Sequence, residues 1–360
     1  MNLVTYVKRN TATFTEAPFN DVDALVLSWL SYFTYPDYLK GEKSVKIKDF
    51  KDLPLLPDKL AYEKTFNPKT SKRLFNLLMQ SRRFSNVALY DFHEDLDEAL
   101  EKQFAALSVK VSKDLICVAF RGTDFSFAGV KEDLNLAYDY PVPSQVSALE
   151  YLTDAINKTL FSKVVVAGHS KGGNLAVYAA SELNQSLQPA LLKVYNFDGP
   201  GFIKDVYEEE GYKRIQDKIL KIIPDSSFIG MLLETKENFQ IVKSRTVSFL
   251  QHNPFTWIIK NDGFAFFDKR SKSSMKLERA LNEWIRGLSV EERKRIVGII
   301  YGSGLYKLAI RDFASFFKTL HVQIPALTKA YKNLSLDDKT FFKEKLKALL
   351  STYKNTKIKR

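Results

Sequence analysis

The stretch VVVAGHSKGGNLAVYAA, residues 164–180, constrains the fold of this chain more than any other part of the sequence. It contains the pattern Gly-x-Ser-x-Gly, with Ser170 between Gly168 and Gly172, preceded by an apolar run and followed by a run of small residues. A nucleophile elbow needs this context, because the turn from strand to helix is sharp and a Cβ at either glycine would obstruct it. The segment therefore predicts a buried strand, an elbow at Ser170 and a helix, although an ordinary tight turn with a capping serine is the alternative.

The surrounding sequence alternates between apolar runs and helical segments. Two β-rich runs, AALSVKV and LICVAF, are joined by SKD and indicate a hairpin, and NDG at 261–263 predicts a second hairpin with a tight turn. Between them we expect helices at 144–160 and 172–183 and strands at 163–167, 191–197 and 219–223. Strands that are apolar on both faces and separated by helices are typical of a parallel sheet covered by helices. The sequence thus predicts an α/β fold with a mostly parallel central sheet.

The last quarter of the chain differs from the rest in pattern and in charge. Residues 1–270 contain 34 Lys/Arg and 34 Asp/Glu, whereas residues 271–360 contain 20 and 8 and are helical throughout in pattern. Capping boxes at Ser289 with Glu292 and at Ser335 with Asp338 predict two helix starts there. We therefore expect residues 1–270 to form the α/β domain, with an N-terminal helical segment. Residues 271–360 then form a basic helical extension packed on or beside it.

The charge of this extension suggests two kinds of surface. A solvated helical face rich in lysine is the simpler interpretation, and peripheral contact with an anionic membrane is the other. The sequence does not favour nucleic acid as a partner, because the extension has no zinc-binding pattern, no aromatic RNA-binding motif and no glycine-rich clamp. The basic residues of the last helix and the chain end are Lys343, Lys345, Lys347, Lys354, Lys357, Lys359 and Arg360.

Composition excludes several other classes of protein. The chain has one cysteine, Cys117, and four histidines, which excludes a disulfide framework and most metal chemistry, so we expect no cofactor. No apolar run approaches the roughly 18 residues that a membrane helix needs. The N-terminal residues MNLVTYVKRN contain no apolar core of a signal peptide. These features predict a cytoplasmic protein.

If Ser170 is a nucleophile, it needs a histidine to accept its proton and an acid to orient that histidine. In the elbow-containing folds the histidine follows the nucleophile in the chain. His93 precedes Ser170 and His169 adjoins it, which leaves His252, on the loop QHNPF, and His321, in the late helical region. We favour His252, because it follows a sheet-like stretch.

Two aspartates end predicted strands after the nucleophile. Asp198 follows the first of these strands, in NFDGPGF, and Asp225 follows the second, in KIIPDSSF. We favour Asp225 as the acid because the histidine-bearing loop should come next in chain order, and His252 follows 27 residues later. Asp198 is the alternative. A turn-forming role after Pro224 would also explain Asp225.

An acyl-transfer site also needs two donors for the oxyanion of the tetrahedral intermediate. The backbone N–H of Lys171, directly after the nucleophile, is one candidate, and Thr123 in the loop FRGTD is the other. Asp133, in KEDLN, either holds that loop in place or begins a helix.

In this order the segments FRGTD, KEDLN, GHSKGGNLAVYAA, NFDGPGF, PDSS and QHNPF resemble those of class 3 (fungal-type) lipases and of a related bacterial group of α/β-hydrolase-like proteins. The resemblance covers roughly residues 15–270. It implies an α/β-hydrolase fold, with Ser170, Asp225 and His252 in the triad positions and Thr123 in the oxyanion-loop position. Lys171 stands where those lipases usually have an apolar residue.

The pattern and the resemblance together suggest a serine hydrolase that cleaves an ester or lipid-like acyl substrate through an acyl-enzyme. A catalytically inactive binding or regulatory protein on the same scaffold is the alternative, because a fold does not fix a function. For the hydrolase we expect residues 228–250 and residues 15–50 to form the rim of an apolar acyl pocket.

Overall fold

A computed structural model describes residues 1–41, 43–52, 67–124, 126–159, 162–233, 236–302 and 331–358. The candidate histidine His321 and the basic residues 359–360 lie outside the described residues.

The body of the protein is one large sheet, to which the described residues contribute nine strands. In spatial order these are β1 Val45–Lys46, β2 Ala88–Asp97, β3 Lys102–Lys110, β4 Leu115–Phe120, β5 Lys163–His169, β6 Leu191–Phe197, β7 Ile219–Pro224, β8 Phe239–Val242 and β11 Phe266–Phe267. The five strands β4 to β8 are parallel, and antiparallel strands flank them at both edges. The expected α/β fold is confirmed.

The predicted hairpin at NDG forms a separate two-stranded ribbon of β9 (Ile259–Lys260) and β10 (Gly263–Phe264). Asn261 and Asp262 form its two-residue turn, with φ of 50° and 62°. Both positive values are those that a type I′ turn requires, and Asn and Asp tolerate them better than most residues.

Helices cover both faces of the sheet because its central strands are apolar on both sides. In β5, Val165 and Ala167 pack with the N-terminal helices, whereas Val164 and Val166 pack on the opposite face against the helices that cross between parallel strands. The helices are α1 Leu3–Arg9, α2 Asp21–Trp29, α3 Pro68–Gln80, α4 Phe127–Asn135, α5 Pro143–Lys158, α6 Lys171–Glu182, α7 Glu210–Ile215, α8 Lys272–Arg286, α9 Val290–Gly302 and α10 Leu336–Asn355.

The basic C-terminal region contacts the body through α8 and α9. Ile285 of α8 packs in a small apolar cluster with Leu136, Val142 and Leu233. In α9, the Arg293 guanidinium donates a 3.0 Å hydrogen bond to the carbonyl of Ala137. The last helix, α10, packs on α8 and has no fully buried residue. No helix in the described part of the chain combines the length and the hydropathy needed to cross a membrane.

Candidate active site

Ser170 lies on a strained turn between β5 and α6. Its φ of 58° and ψ of −133° fall in a region that residues with a Cβ rarely adopt. The flanking glycines make the turn sterically feasible, since a Cβ on Gly168 would overlap the carbonyl of Gly172, and a Cβ on Gly172 would overlap that of Phe120. The predicted strand, turn and helix are therefore present, and they hold the hydroxyl of Ser170 at the carboxyl end of the sheet.

His252 lies directly beside this hydroxyl. Its Nε2 is 3.0 Å from Oγ of Ser170, and its Nδ1 is 2.7 Å from Oδ2 of Asp198. All three residues are buried. Because a carboxylate only accepts, Nδ1–H donates to Asp198, and Nε2 is left to accept from the serine. This is the hydrogen-bond geometry of a serine nucleophile, a general base and an orienting acid.

The structure corrects the choice of Asp225 as the acid. Its carboxylate accepts hydrogen bonds from the backbone N–H of Ser271 at 2.6 Å and from the hydroxyl of Ser226 at 3.2 Å. It thus fixes the start of α8, and Asp198, the alternative, takes the place beside His252. The reason is sheet order: β6 lies between β5 and β7, so the residue after β6 is nearer to the elbow.

The segment that contains Asp225 contributes to the site through a different residue. The hydroxyl of Ser227 donates a 2.6 Å hydrogen bond to Oδ2 of Asp198, the same oxygen that accepts from His252. The backbone N–H of Asp198 donates to the carbonyl of Ile222 at 2.9 Å. Sequence reasoning missed Ser227, because a serine after a proline turn carries no distinctive signal.

His169, which is not the predicted base, is hydrogen-bonded to the backbone of His252. Its Nε2 is 2.9 Å from the carbonyl of His252 and its Nδ1 is 3.0 Å from the hydroxyl of Tyr32. Burial, followed by the nearby charge of His252, places the pKa of His169 well below the ordinary histidine value. A neutral ring that donates from Nε2 must accept at Nδ1, so the hydroxyl of Tyr32 is the donor there. Tyr32, in the N-terminal segment, is therefore linked through His169 to the loop that contains His252.

The loop after β4 brings Thr123 to the elbow. The loop lies against Ser170, since a Cβ on Gly122 would come within 3.0 Å of Cβ of Ser170. The hydroxyl of Thr123 donates to Oδ2 of Asp133, which ties the loop to α4. Lys171 is the first residue of α6, so its N–H is among the four at a helix start that lack an intrahelical acceptor. Of the two predicted donor residues, Lys171 directly follows Ser170, and Thr123 directly follows Gly122, which lies against Ser170.

The side chain of Lys171 forms a buried ion pair behind the elbow. Its Nζ lies 2.7 Å from Oε2 of Glu132 and 2.7 Å from the carbonyl of Gln103. Glu132 also accepts a 2.6 Å hydrogen bond from the hydroxyl of Ser144, at the start of α5. Lys171 thus connects the elbow to α4, β3 and α5.

Asp133 is a buried carboxyl group at this site. Burial raises its pKa to about 6, although the charge of Lys171 and the hydrogen bond from Thr123 act in the opposite direction. Its other oxygen, Oδ1, has no hydrogen-bond partner among the described residues. Asp133 therefore accepts the hydrogen bond that ties the loop after β4 to α4, in surroundings that disfavour its charged form.

An apolar cavity of about 280 Å³ opens beside Ser170. Of the expected rim, residues 228–233 contribute to its wall, whereas the described residues of 236–250 and of 15–50 do not. The helix α2 packs instead in the apolar cluster that contains Val165 and Ala167 of β5. Helices α8 and α9 supply much of the wall instead. The lining residues are Asp133, Leu134, Leu136, Ala137, Ser170, Lys171, Pro200, Phe228, Ile229, Leu232, Leu233, Trp284, Ile285, Leu288, Arg293, Ile296, Val297 and Ile300.

The described residues contain no group of three or more His, Cys, Asp or Glu side chains placed to hold a metal ion. The serine hydroxyl, the imidazole and the carboxylate that are hydrogen-bonded in series at Ser170 are groups that can perform acyl transfer.

A helix-covered sheet with parallel central strands and a strained serine elbow defines a lipase-like α/β-hydrolase. The chain belongs to the Mbeg1-like family, which matches residues 78–302. No curated protein matches the sequence significantly.

Solved lipases are similar in structure at low sequence identity. Lip2 lipase from Yarrowia lipolytica is 10% identical with a TM-score of 0.35, and the match covers 54% of this chain and 77% of that chain. The lipase from Rhizopus microsporus var. chinensis is 14% identical with a TM-score of 0.35, covering 60% and 87%. M37 lipase is 15% identical with a TM-score of 0.34, covering 58% and 67%.

Proposed function

We propose that this protein is a serine hydrolase that cleaves a carboxylic ester with a lipid-like acyl group, through an acyl-enzyme on Ser170. The observation that carries the proposal is the continuous chain of hydrogen bonds from Ser170 through His252 to Asp198, beside an apolar cavity. A hydroxyl becomes a useful nucleophile when an adjacent base accepts its proton, and the cavity offers the acyl chain an apolar environment.

In the proposed reaction, Oγ of Ser170 attacks the ester carbonyl while Nε2 of His252 accepts its proton. Asp198 holds Nδ1–H and stabilises the imidazolium that forms. The backbone N–H groups of Lys171 and Thr123 donate to the oxyanion. As the intermediate collapses, His252 returns the proton to the leaving alcohol. A water molecule then attacks the acyl-enzyme with His252 again as base, which releases the carboxylic acid and restores the serine.

A fluorophosphonate probe tests the proposal together with p-nitrophenyl ester hydrolysis. We expect wild-type protein to be labelled at Ser170, and we expect Ser170→Ala to lose both labelling and turnover. An unlabelled wild-type protein that hydrolyses no ester would instead indicate an inactive binding or regulatory protein on the same scaffold.

We further propose that α10 brings the enzyme to anionic lipid. This helix exposes Lys343, Lys347 and Lys354, and its apolar residues Leu346 and Leu350 are 41% and 60% exposed. Such a helix can lie on a membrane surface, where each nearby basic residue contributes about 1 kcal/mol.

Sedimentation with vesicles tests this surface. We expect binding to phosphatidylserine-containing vesicles at low salt, weaker binding at high salt and no binding to neutral vesicles. Replacing Lys343, Lys347 and Lys354 by Gln should abolish binding and leave hydrolysis of a soluble ester unchanged. Equal sedimentation with neutral vesicles, or none with anionic ones at low salt, would refute the proposal.

A further inference from the structure

We propose that the C-terminal helices α8 and α9 set the acyl-chain selectivity of this site, and that the cavity holds one unbranched acyl chain of about ten carbons. The inference rests on the proposed ester hydrolysis at Ser170 and adds the class of acyl group that reacts. It is carried by the composition of the cavity wall, the cavity volume and the position of the cavity beside the nucleophile.

The wall is apolar except at the end where the chemistry takes place. The polar groups at that end are Ser170, Lys171 and Asp133, and the ammonium of Lys171 is paired with Glu132. Elsewhere the lining is aliphatic and aromatic, apart from Arg293, whose guanidinium donates to the carbonyl of Ala137. A charged or strongly hydrated acyl group would lose its water without finding partners along this wall. The wall therefore suits a hydrocarbon chain whose carboxyl end lies at Ser170.

The volume limits the length of that chain. An apolar cavity of about 150 Å³ accommodates benzene, which has six carbon atoms. In proportion, the cavity of about 280 Å³ beside Ser170 holds about eleven carbons. Chains of about eight to twelve carbons fill the space, and longer chains must displace a wall or leave carbons in water.

Much of the wall comes from outside the α/β body. Trp284, Ile285 and Leu288 lie in or just after α8, and Ile296 and Val297 lie in α9. The two helices are held against the body by the cluster around Ile285 and by the hydrogen bond from Arg293. Substitutions on these helices therefore change the cavity without touching the residues that we place in the reaction.

Val297→Phe tests the inference by filling the cavity, and Ile299→Phe is its matched control. Ile299 is buried on the same helix but does not line the cavity. We expect wild-type kcat/KM for p-nitrophenyl esters to peak near ten carbons. In Val297→Phe the value for ten carbons should fall about tenfold or more, whereas the value for four carbons stays within about twofold. Ile299→Phe should keep the wild-type profile.

Leu288→Ala enlarges the cavity and should move the peak to longer chains, and thermal melting confirms that each variant is folded. A wild-type peak at two or at sixteen carbons, or identical chain-length profiles in folded Val297→Phe and Leu288→Ala, would overturn the inference. Labelling of Ser170 by the fluorophosphonate probe separates this result from failure of the proposed function, because labelling does not depend on chain length.

Discussion

At the scale of single residues, the candidate site depends on which carboxylate faces His252. Asp198 has a φ of 54°, an unusual value for a residue with a Cβ, and this bend follows directly after β6. Asp225 has an ordinary structural role at the start of α8. The two aspartates can therefore be compared by mutation. Each follows one of two neighbouring parallel strands, but only Asp198 contacts His252.

We expect Asp198→Ala to lower kcat about 10⁴-fold, because His252 loses the partner that sets its tautomer. Asp225→Ala should keep kcat within about threefold of wild type and lower only the stability, by about 1–3 kcal/mol from the backbone N–H left without an acceptor. Ester hydrolysis and urea unfolding measure the two effects. A larger loss of kcat in Asp225→Ala than in Asp198→Ala would contradict the assignment.

The raised pKa of Asp133 predicts a pH dependence of stability. The folded protein keeps this carboxyl group protonated up to about pH 6, whereas the unfolded chain releases the proton near pH 4. In this window the unfolded state binds fewer protons, so Asp133 makes the free energy of unfolding decrease as the pH rises.

Between pH 4 and pH 6 this contribution amounts to up to about 1.4 kcal/mol per pH unit, and Asp133→Asn should abolish it. The asparagine side-chain oxygen still accepts from Thr123, so the loop contact is retained. Urea unfolding at several pH values measures the slope, and equal slopes in the two proteins would show that Asp133 ionises normally.

At the scale of elements, the buried ion pair of Lys171 and Glu132 connects the elbow helix α6 to α4. Removing one member of such a pair leaves the other charged and buried. We expect Lys171→Met to lower the free energy of unfolding by about 3–5 kcal/mol and the double variant Lys171→Met/Glu132→Gln to recover part of the loss. Chemical denaturation measures both. A single variant as stable as wild type would show that the pair does not hold the elements together.

The elements that sequence patterns predict best are those whose apolar residues follow one clear period. The β5–α6 unit and the capping box of α9, where Ser289 and Glu292 bond reciprocally, are confirmed. Sequence patterns do not predict strand β2, because ALYDFHEDLD is rich in acidic residues. The strand lies toward the edge of the sheet. Sequence patterns place Asp225 and not Asp198 beside His252, because order along the chain does not reveal order across the sheet. The cavity wall from α9 depends on contacts such as that between Arg293 and Ala137, which are 156 residues apart.

At the scale of the whole molecule, the basic C-terminal region and the α/β body share one apolar cluster. Ile285, which is 8% exposed, packs there with residues of the body, whereas Leu277 on the same helix is 37% exposed. We expect Ile285→Ala to lower the free energy of unfolding by about 2–5 kcal/mol within a single transition, and Leu277→Ala to change it by less than about 1 kcal/mol. Calorimetry shows whether there is one unfolding transition or two. A separate low-temperature transition would show that the C-terminal helices unfold independently of the α/β body.

The strained backbone conformation of Ser170 should lower the melting temperature of the protein. Its φ and ψ are close to those that glycine alone adopts without strain, at a cost of about 1–3 kcal/mol for a residue with a Cβ. Ser170→Gly and Ser170→Ala both lose the hydroxyl, but only glycine relieves the strain. We therefore expect the glycine variant to melt a few degrees above the alanine variant. Selection for heat tolerance alone would therefore favour glycine over serine at this position.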